Sequence, residues 1–523
     1  MRVPLTPLRC LHRAIDLYSH KEAIICGDLR FTYGQFGERC EKFASALVMA
    51  GVQPDDRVAF LSFNTHKLLE GYYAAPQARA MVMPLNVRLT PTELGNILRH
   101  AEARMLFYEK DFAPLVAHLL TAWPGMRTIN LDTEYEEFIA QGKAERADIY
   151  SYDEEKIAEL FYTSGSTGTP KGVTLAHRTV YMHAMAVAGA FNSDDAGVEL
   201  HTIPLFHANG WGRPQTATMM GLKQVMVRRF DPPFVCNLIQ KEGATGMSLV
   251  PTMAMALLNL PNLADYDFST MNQIFIGGAA ASVHLIERLE KTFGCEVLSG
   301  YGLTETCPVA TSARRKSTVT YSDEADRYLH QAMAGWPLPG TQIRVVDAHM
   351  NDVIRDRAAI GEVVIAGDNV MDGYFKEPAE TAAVMSGPWF HTGDMAVWDN
   401  EGYIHIVDRK KDIIISGGEN ISSIEVENML AMHPAVLEAA VVGAPDPTWG
   451  EIPVAFVVVR PGVEITAREL MEFSATRLAK FKLPRVFEFM DQPLPKGGTG
   501  KILKRELREK FWAGKERRVQ GVE

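Results

Sequence analysis

The 523-residue chain is 47% hydrophobic, 9% aromatic and 22% charged, a balance that excludes a largely disordered protein. At ~150 residues per domain it is too long for one core and should form two to four units. Its 53 Lys and Arg against 64 Asp and Glu leave a net charge of −11, which argues against a dedicated nucleic-acid binder, because phosphate binding needs a basic face.

From the N-terminus, MRVPLTPLRCLHR sets Pro4, Pro7, Arg9 and Arg13 where a secretory signal would need an apolar stretch. AIICGDLRFTY predicts two short strands about a Gly27-Asp28 turn, then an amphipathic helix over roughly 35–50. RVAFLSFN (57–64) predicts a buried strand followed by a helix. Helices keep alternating with short apolar strands at 160–162, 273–276 and 296–298, which argues α/β layers with largely parallel sheet. The stretch around 247–260 is interrupted by Ser248, Pro251, Thr252 and Asn259, so no membrane-spanning helix is expected. After Gly340, QIRVVDA, EVVIAG and GYIHIVD are β-rich and close together, as in a small meander or barrel.

DRKKDIIISGGENIS then concentrates charge and glycine, and beyond it a compact α+β pattern follows: helix 423–432, strands 436–442 and 454–459, helix 467–478. The change of texture places a boundary at 407–411, giving a large N-terminal domain, 1–408, and a small C-terminal domain, 409–523. The tail from Lys496 to Arg518 carries nine Lys and Arg against three Glu and reads as a solvated helix face. Six cysteines (Cys10, Cys26, Cys40, Cys236, Cys295, Cys307) form no CxxC pair, which suits reduced thiols in a cytoplasmic protein.

Four segments carry chemistry. YTSGSTGTPKG, Tyr162 to Gly172, follows a buried run and packs three glycines, five Ser and Thr hydroxyls and Lys171 into a loop able to wrap phosphate oxygens. It is not a Walker A loop, since Lys171 precedes Gly172 where that motif has Ser or Thr. SGYGLTE, Ser299 to Glu305, offers glycines for close backbone approach to a flat base, Tyr301 for stacking and Glu305 as a hard oxygen for Mg²⁺. FHTGD puts Asp394 at a turn, where it could accept both hydroxyls of a ribose. PKGGTGKILKREL sets Lys501 after a glycine-rich turn, at the start of a basic helix.

Taken singly, these segments have ordinary structural explanations. In this order, with PLFHANGW (Pro204 to Trp211) and GGAA (Gly277 to Ala280), the whole chain resembles the adenylate-forming superfamily, and within it the fatty and related carboxylic acid CoA ligases. The resemblance implies an α/β protein: a large N-terminal domain of layered subdomains with a small β-barrel-like one, then a small mobile α+β domain. It implies ATP, Mg²⁺ and coenzyme A as cofactors, a carboxylic acid as substrate, and no nucleic acid or integral membrane segment; a homodimer is allowed by analogy.

Matched residue by residue, the resemblance gives Thr163, Ser164, Gly165, Ser166, Thr167, Gly168 and Lys171 to the β- and γ-phosphates, and Thr163 and Glu305 to Mg²⁺. Ala279, Ser299, Gly300, Tyr301, Gly302 and Thr304 would line adenine and the α-phosphate. Asp394, with Arg409 beside it, would bind the ribose, and Lys411 falls at the hinge. Lys501 would bridge carboxylate and nucleotide. His207 and Trp211, with Gly277 and Gly278, would edge the acyl pocket, the tryptophan resembling a gate. Gly417, Gly418 and Glu419 would border the pantetheine tunnel. One departure is Ile415, where many relatives carry a second lysine.

The expected acid is a medium- or long-chain fatty acid. The alternatives are an aryl or short-chain acid ligase and a ligase that loads a carrier protein, although the long insertion of carrier-loading relatives is not apparent. A non-catalytic nucleotide-binding relative is disfavoured because Lys171, Glu305, Asp394 and Lys501 are all present.

Overall fold

The computed structural model describes residues 2–163, 170–191, 193–417, 419–496 and 502–512. Contacts divide the chain into two compact units, Met1–Gln342 with Ile365–Phe390, and Ile343–Val364 with His391–Glu523. The class is α/β.

The first unit holds two large sheets. One has seven strands, in the spatial order Gly373–Tyr374, Lys171–Ala176, Ile157–Thr163, Met81–Pro84, Arg57–Leu61, Met105–Tyr108 and Arg127–Asn130. From Ile157–Thr163 to the Arg127–Asn130 edge every pair is parallel. Parallel neighbours need crossover helices on the sheet faces, so strands such as MVMP are buried throughout and show no alternation. The expected helix after the first hairpin runs Tyr33–Met49 and starts at a capping box, Thr32 with Gln35. It delivers Phe43 edge-on to Phe60 and Phe107, which stack on each other at 5.1 Å.

The other sheet has nine strands, ordered Trp336–Pro337, Val309–Ser312, Glu296–Gly302, Gln273–Ile276, Gly246–Leu249, Val198–His201, Lys223–Met226, Glu22–Cys26 and Leu29–Thr32. Its six central strands are parallel, with antiparallel strands at both edges. Neighbouring parallel strands present their C-terminal ends on one side, so the loops that leave them collect there.

The β-rich texture after Gly340 is a five-stranded sheet ordered Thr341–Val346, Gly361–Gly367, Trp389–Trp398 and Met385–Ser386, with Ile404–Arg409 also paired to Trp389–Trp398. The division between the units falls inside three of these strands. Further along, Glu419–Ile421, Ile414–Ser416, Gly450–Val459 and Val436–Asp446 form a second five-stranded sheet, with Val486–Phe489 parallel to Gly450–Val459. Its central strand alternates strictly. Val454, Phe456 and Val458 point into one core with Leu494 and Leu507, while Ala455 and Val457 point into another with Val426, Leu430 and Leu470. Helices cover both faces. Among the described residues no helix is long and apolar enough to cross a membrane.

Candidate active site

The strands Ile157–Thr163 and Lys171–Ala176 form an antiparallel hairpin in which Thr163 lies directly opposite Lys171. The two residues therefore flank whatever the intervening segment holds. Ser164, Gly165, Ser166, Thr167 and Gly168 lie outside the described residues. On the other side of Lys171–Ala176, the short strand Gly373–Tyr374 pairs with Val173 and Thr174. That register sets the Tyr374 ring 4.8 Å beneath Lys171 Nζ, which also pairs with Glu380. The Tyr374 hydroxyl donates to Glu305 Oε1 at 3.0 Å. Lys171 and Glu305, 134 positions apart in the chain, thus share one aromatic ring. Tyr374 and Glu380 escaped the sequence reading because MDGYFKEPAET has no helical or strand periodicity to mark them.

Glu305 sits in the 3₁₀ turn Thr304–Thr306, which follows the strand Glu296–Gly302, and its carbonyl accepts from Met371 N at 2.8 Å. Ser299 is 4% exposed, and its Oγ finds no protein partner among the described residues. Tyr301 N donates to Thr311 Oγ1, and Thr304 is buried. The glycines here serve packing. A Cβ on Gly300 would lie 2.4 Å from the Phe275 ring, and one on Gly302 would lie 1.7 Å from the Pro308 carbonyl oxygen. Side chains are excluded by the protein itself before any ligand is considered.

Ile276 is in register with Ser299, so the Gly277-Gly278-Ala279 loop leaves its strand beside the Ser299 strand. Gly278 and Ala279 are exposed, whereas Gly277 is buried. Against these glycines lies Trp211, only 5% exposed, whose ring atoms would meet a Cβ on Gly277 at 3.3 Å and one on Gly278 at 3.4 Å. Its ring also meets Phe275 edge-on at 5.7 Å, and Phe275 in turn meets Phe191.

Trp211 reaches this position through an unusual backbone. Ala208, Gly210, Trp211 and Gly212 all have φ between 41° and 71°, a left-handed turn that costs ~1–2 kcal/mol at each non-glycine residue. Buried polar contacts surround it. Asn64 donates to the carbonyls of His201 and Ile203 and accepts from Leu205 N. After the turn, Arg213 forms a buried bidentate pair with Glu199 at 3.0 and 2.5 Å. His207 lies half-buried at the entry to the turn, its N donating to Pro204 O.

In the second unit Asp394 departs from its expected turn. It lies within the ten-residue strand Trp389–Trp398, opposite Arg409, and pairs with Arg409 Nε at 2.9 Å. Thr392 Oγ1 accepts from Asp394 N and donates to Val363 O, so local turn chemistry is satisfied inside the strand. Lys411 follows two residues after that strand's partner, and its carbonyl accepts from Arg508 Nη1 at 2.7 Å. Gly417, at φ 62°, donates to Trp449 O and lies under the Trp449 ring, where a Cβ would come within 2.7 Å. Glu419 is exposed, and Gly418 is outside the described residues. Ile415, at the position of the missing lysine, donates its N–H to Glu451.

Lys501 also lies outside the described residues, but its flanks are held: Lys496 bridges Ile502, and Leu503 N donates to Pro495 O at 2.8 Å. The helix that follows, Lys504–Trp512, has a solvated face at Arg505, Glu506, Glu509 and Lys510, but its other side is packed. Lys504 bonds Glu427 at 2.8 Å and Ser423 at 2.6 Å, and Leu507 is 2% exposed. Buried partners neutralise its inward charges, which charge counting cannot foresee.

These arrangements, a hydroxyl-rich hairpin end, a carboxylate and a lysine that meet one tyrosine, and loops gathered at parallel strand ends, suit a protein that handles a polyphosphate. The chain matches the AMP-binding enzyme family over residues 11–375 and the AMP-binding enzyme C-terminal domain over 425–501. It belongs to that family, the adenylate-forming superfamily. It is 38% identical to a long-chain-fatty-acid–CoA ligase of Thermus thermophilus, over 96% of this chain and 94% of that one. It is 35% identical to a peroxisomal butyrate–CoA ligase of Arabidopsis thaliana, over 97% and 93% of the two chains. The ATP-bound crystal structure of MatB from Rhodopseudomonas palustris superposes with a TM-score of 0.85 at 28% identity, covering 96% of this chain and 99% of that one.

Proposed function

We propose that this protein, an ATP-dependent acyl-CoA ligase, joins a medium- or long-chain fatty acid to AMP with release of pyrophosphate and then passes the acyl group to coenzyme A. The ligase class rests on the family and on the relatives named above. The observation that carries the site is the hairpin end where Thr163 faces Lys171, linked through Tyr374 to Glu305.

A carboxylate is a poor acyl donor because its leaving group would be oxide. A carboxylate oxygen attacks the α-phosphorus of ATP, the bond to the β-phosphate breaks, and pyrophosphate leaves. The thiol sulfur of coenzyme A then attacks the acyl carbon and AMP leaves, the thiol proton passing to solvent. The first step drives an anion toward a polyanion, so positive charge must be in place beforehand. Lys171 supplies it at the hairpin and Lys501 at the acyl carboxylate. Thr163 to Gly168 cradle the β- and γ-phosphates, while Ala279, Ser299 to Gly302 and Thr304 line adenine and the α-phosphate. The orphan Ser299 Oγ supports that reading. Asp394 and Arg409 take the ribose, and Gly417 to Glu419 border the pantetheine path.

Among the described residues no cluster of three metal-ligating side chains exists. One carboxylate and one hydroxyl, Glu305 and Thr163, make a sparse donor set of hard oxygens. That set suits Mg²⁺, which keeps most of its shell from phosphates and water. Bound there, Mg²⁺ supplies neutralisation of phosphate charge. Residues 1–408 and 409–523 are read as two domains joined at Lys411, whose rotation exchanges the Lys501 segment for the thiol path. Six free thiols, five of them buried, support a reducing, cytoplasmic setting.

Incubation with ATP, Mg²⁺, coenzyme A and a panel of acids from C2 to C16 plus aromatics should yield pyrophosphate, AMP and a thioester; ADP as product overturns the mechanism. A second reading, a short-chain or aromatic acid, is favoured by the packing of Trp211 against Gly277, Gly278 and Phe275. The same panel separates the two.

A further inference from the structure

The strand Ile404–Arg409 ends beside the helix Ser423–Ala431, and three hydrogen bonds hold the two together. Asp408 is 1% exposed, and its Oδ2 accepts from Ser423 N at 2.6 Å and from Ser423 Oγ at 2.5 Å. One residue earlier on each side, Ser422 Oγ donates to the Val407 carbonyl. Behind Ser423, Lys504 Nζ reaches Ser423 Oγ at 2.6 Å and Glu427 Oε1 at 2.8 Å, and Glu427 also accepts from Val441 N. Burial pushes the Asp408 carboxyl up, and the charge of Lys504 opposes it.

These contacts join residues on opposite sides of Lys411. Rotation about the two backbone torsions of Lys411 moves its own carbonyl, and everything after it, as one body. The Arg508 bond to the Lys411 carbonyl and the Arg508 pair with Asp412 travel with that body and survive the rotation. The Asp408–Ser423 and Val407–Ser422 contacts do not. They straddle the pivot and can exist in only one of its settings.

We propose that the clasp of Asp408 on Ser423 is a latch in the catalytic cycle, closed for one half-reaction and necessarily open for the other. Asp408 and Ser423 are positioning residues: they touch no substrate and set the balance between the two settings of Lys411. This rests on the reading of Lys411 as the hinge given above. Opening the latch exposes a buried carboxylate and an N-terminal helix N–H together, so water must replace both bonds. The latch therefore biases the equilibrium in favour of its own setting.

The test is a full-length Asp408→Cys, Ser423→Cys protein, its cross-link verified by mass spectrometry, with the wild type under the same oxidant as control. Two rates are measured separately: pyrophosphate release from acid and ATP, and thioester formation from preformed acyl-adenylate and coenzyme A. Cross-linking should abolish one rate, by about 100-fold or more, leave the other nearly intact, and be reversed by reductant. Equal loss of both rates, or of neither, overturns the proposal. Where the pair does not cross-link, Ser423→Ala should change the ratio of the two rates by about tenfold with little change in Tm, and Ser423→Thr should restore it. An unchanged ratio overturns the latch. A wild type that performs neither half-reaction with any acid overturns the proposed function instead.

Discussion

The Tyr374 hydroxyl donates to Glu305 Oε1 at 3.0 Å while its ring lies 4.8 Å beneath Lys171 Nζ, so one side chain touches both the proposed phosphate-binding cation and the proposed metal ligand. Lys171 also pairs with Glu380, so a phosphate that reaches the lysine would compete with that carboxylate. Tyr374→Phe keeps the ring and deletes the hydrogen bond. A hydrogen bond to a charged group is worth ~1.5–3 kcal/mol, so pyrophosphate release should slow by about tenfold or more and demand more Mg²⁺. Thioester formation from preformed adenylate should hold. Full activity with an unchanged Mg²⁺ requirement would assign the bond to packing alone.

Lys501→Ala should separate the two half-reactions. Losing one preplaced charge costs ~10²–10³ in rate, and the loss should fall on adenylate formation from acid and ATP. Coupling of preformed acyl-adenylate to coenzyme A should persist. If both assays suffer alike, the lysine holds structure and does not bridge the reactants.

Trp211 is held by a left-handed turn and packs on two glycines, an arrangement whose strain should serve a purpose. Trp211→Ala should alter chain-length preference while leaving the KM for ATP nearly unchanged. Each methylene buried in the space opened is worth ~0.8 kcal/mol, or about fourfold in kcat/KM per carbon. A uniform loss over all acids together with a lower Tm would make the ring a core anchor.

Glu159 lies four residues before Thr163, 1% exposed, with Gln215 donating to Oε1 at 2.8 Å. Burial pushes its carboxyl up to about 8. The folded protein therefore keeps a proton that the unfolded chain loses near its ordinary value of about 4.5. Stability is fully present below that pH and falls as pH rises toward 8, at ~1.4 kcal/mol per unit from this group. Glu159→Gln should flatten the decline of Tm between pH 5.5 and 8. The same slope in both proteins would remove Glu159 as its source.

Much of the fold was legible because strand and helix periods are local. The alternation of apolar runs with amphipathic helices predicted parallel sheets, and the hairpin at Gly27-Asp28 and the helix after it lie where the pattern sets them. The strand expected over 160–162, just before the TPKG loop, was legible because its apolar run is local, and it lies within Ile157–Thr163.

Tertiary structure decided what depends on residues far apart. Nothing in MDGYFKEPAET announces that Tyr374 will lie under Lys171, since that contact follows from pairing Gly373–Tyr374 with Val173 and Thr174, about 200 positions earlier. Asp394 read as a turn residue became a strand residue because Thr392 satisfied the local polar groups and Arg409 paired across the ladder. Lys504 read as solvated became half-buried because Glu427 and Ser423, on another helix, met its charge. A sequence records which donors and charges exist; which of them neutralise one another depends on chain closure, and only the folded chain decides it.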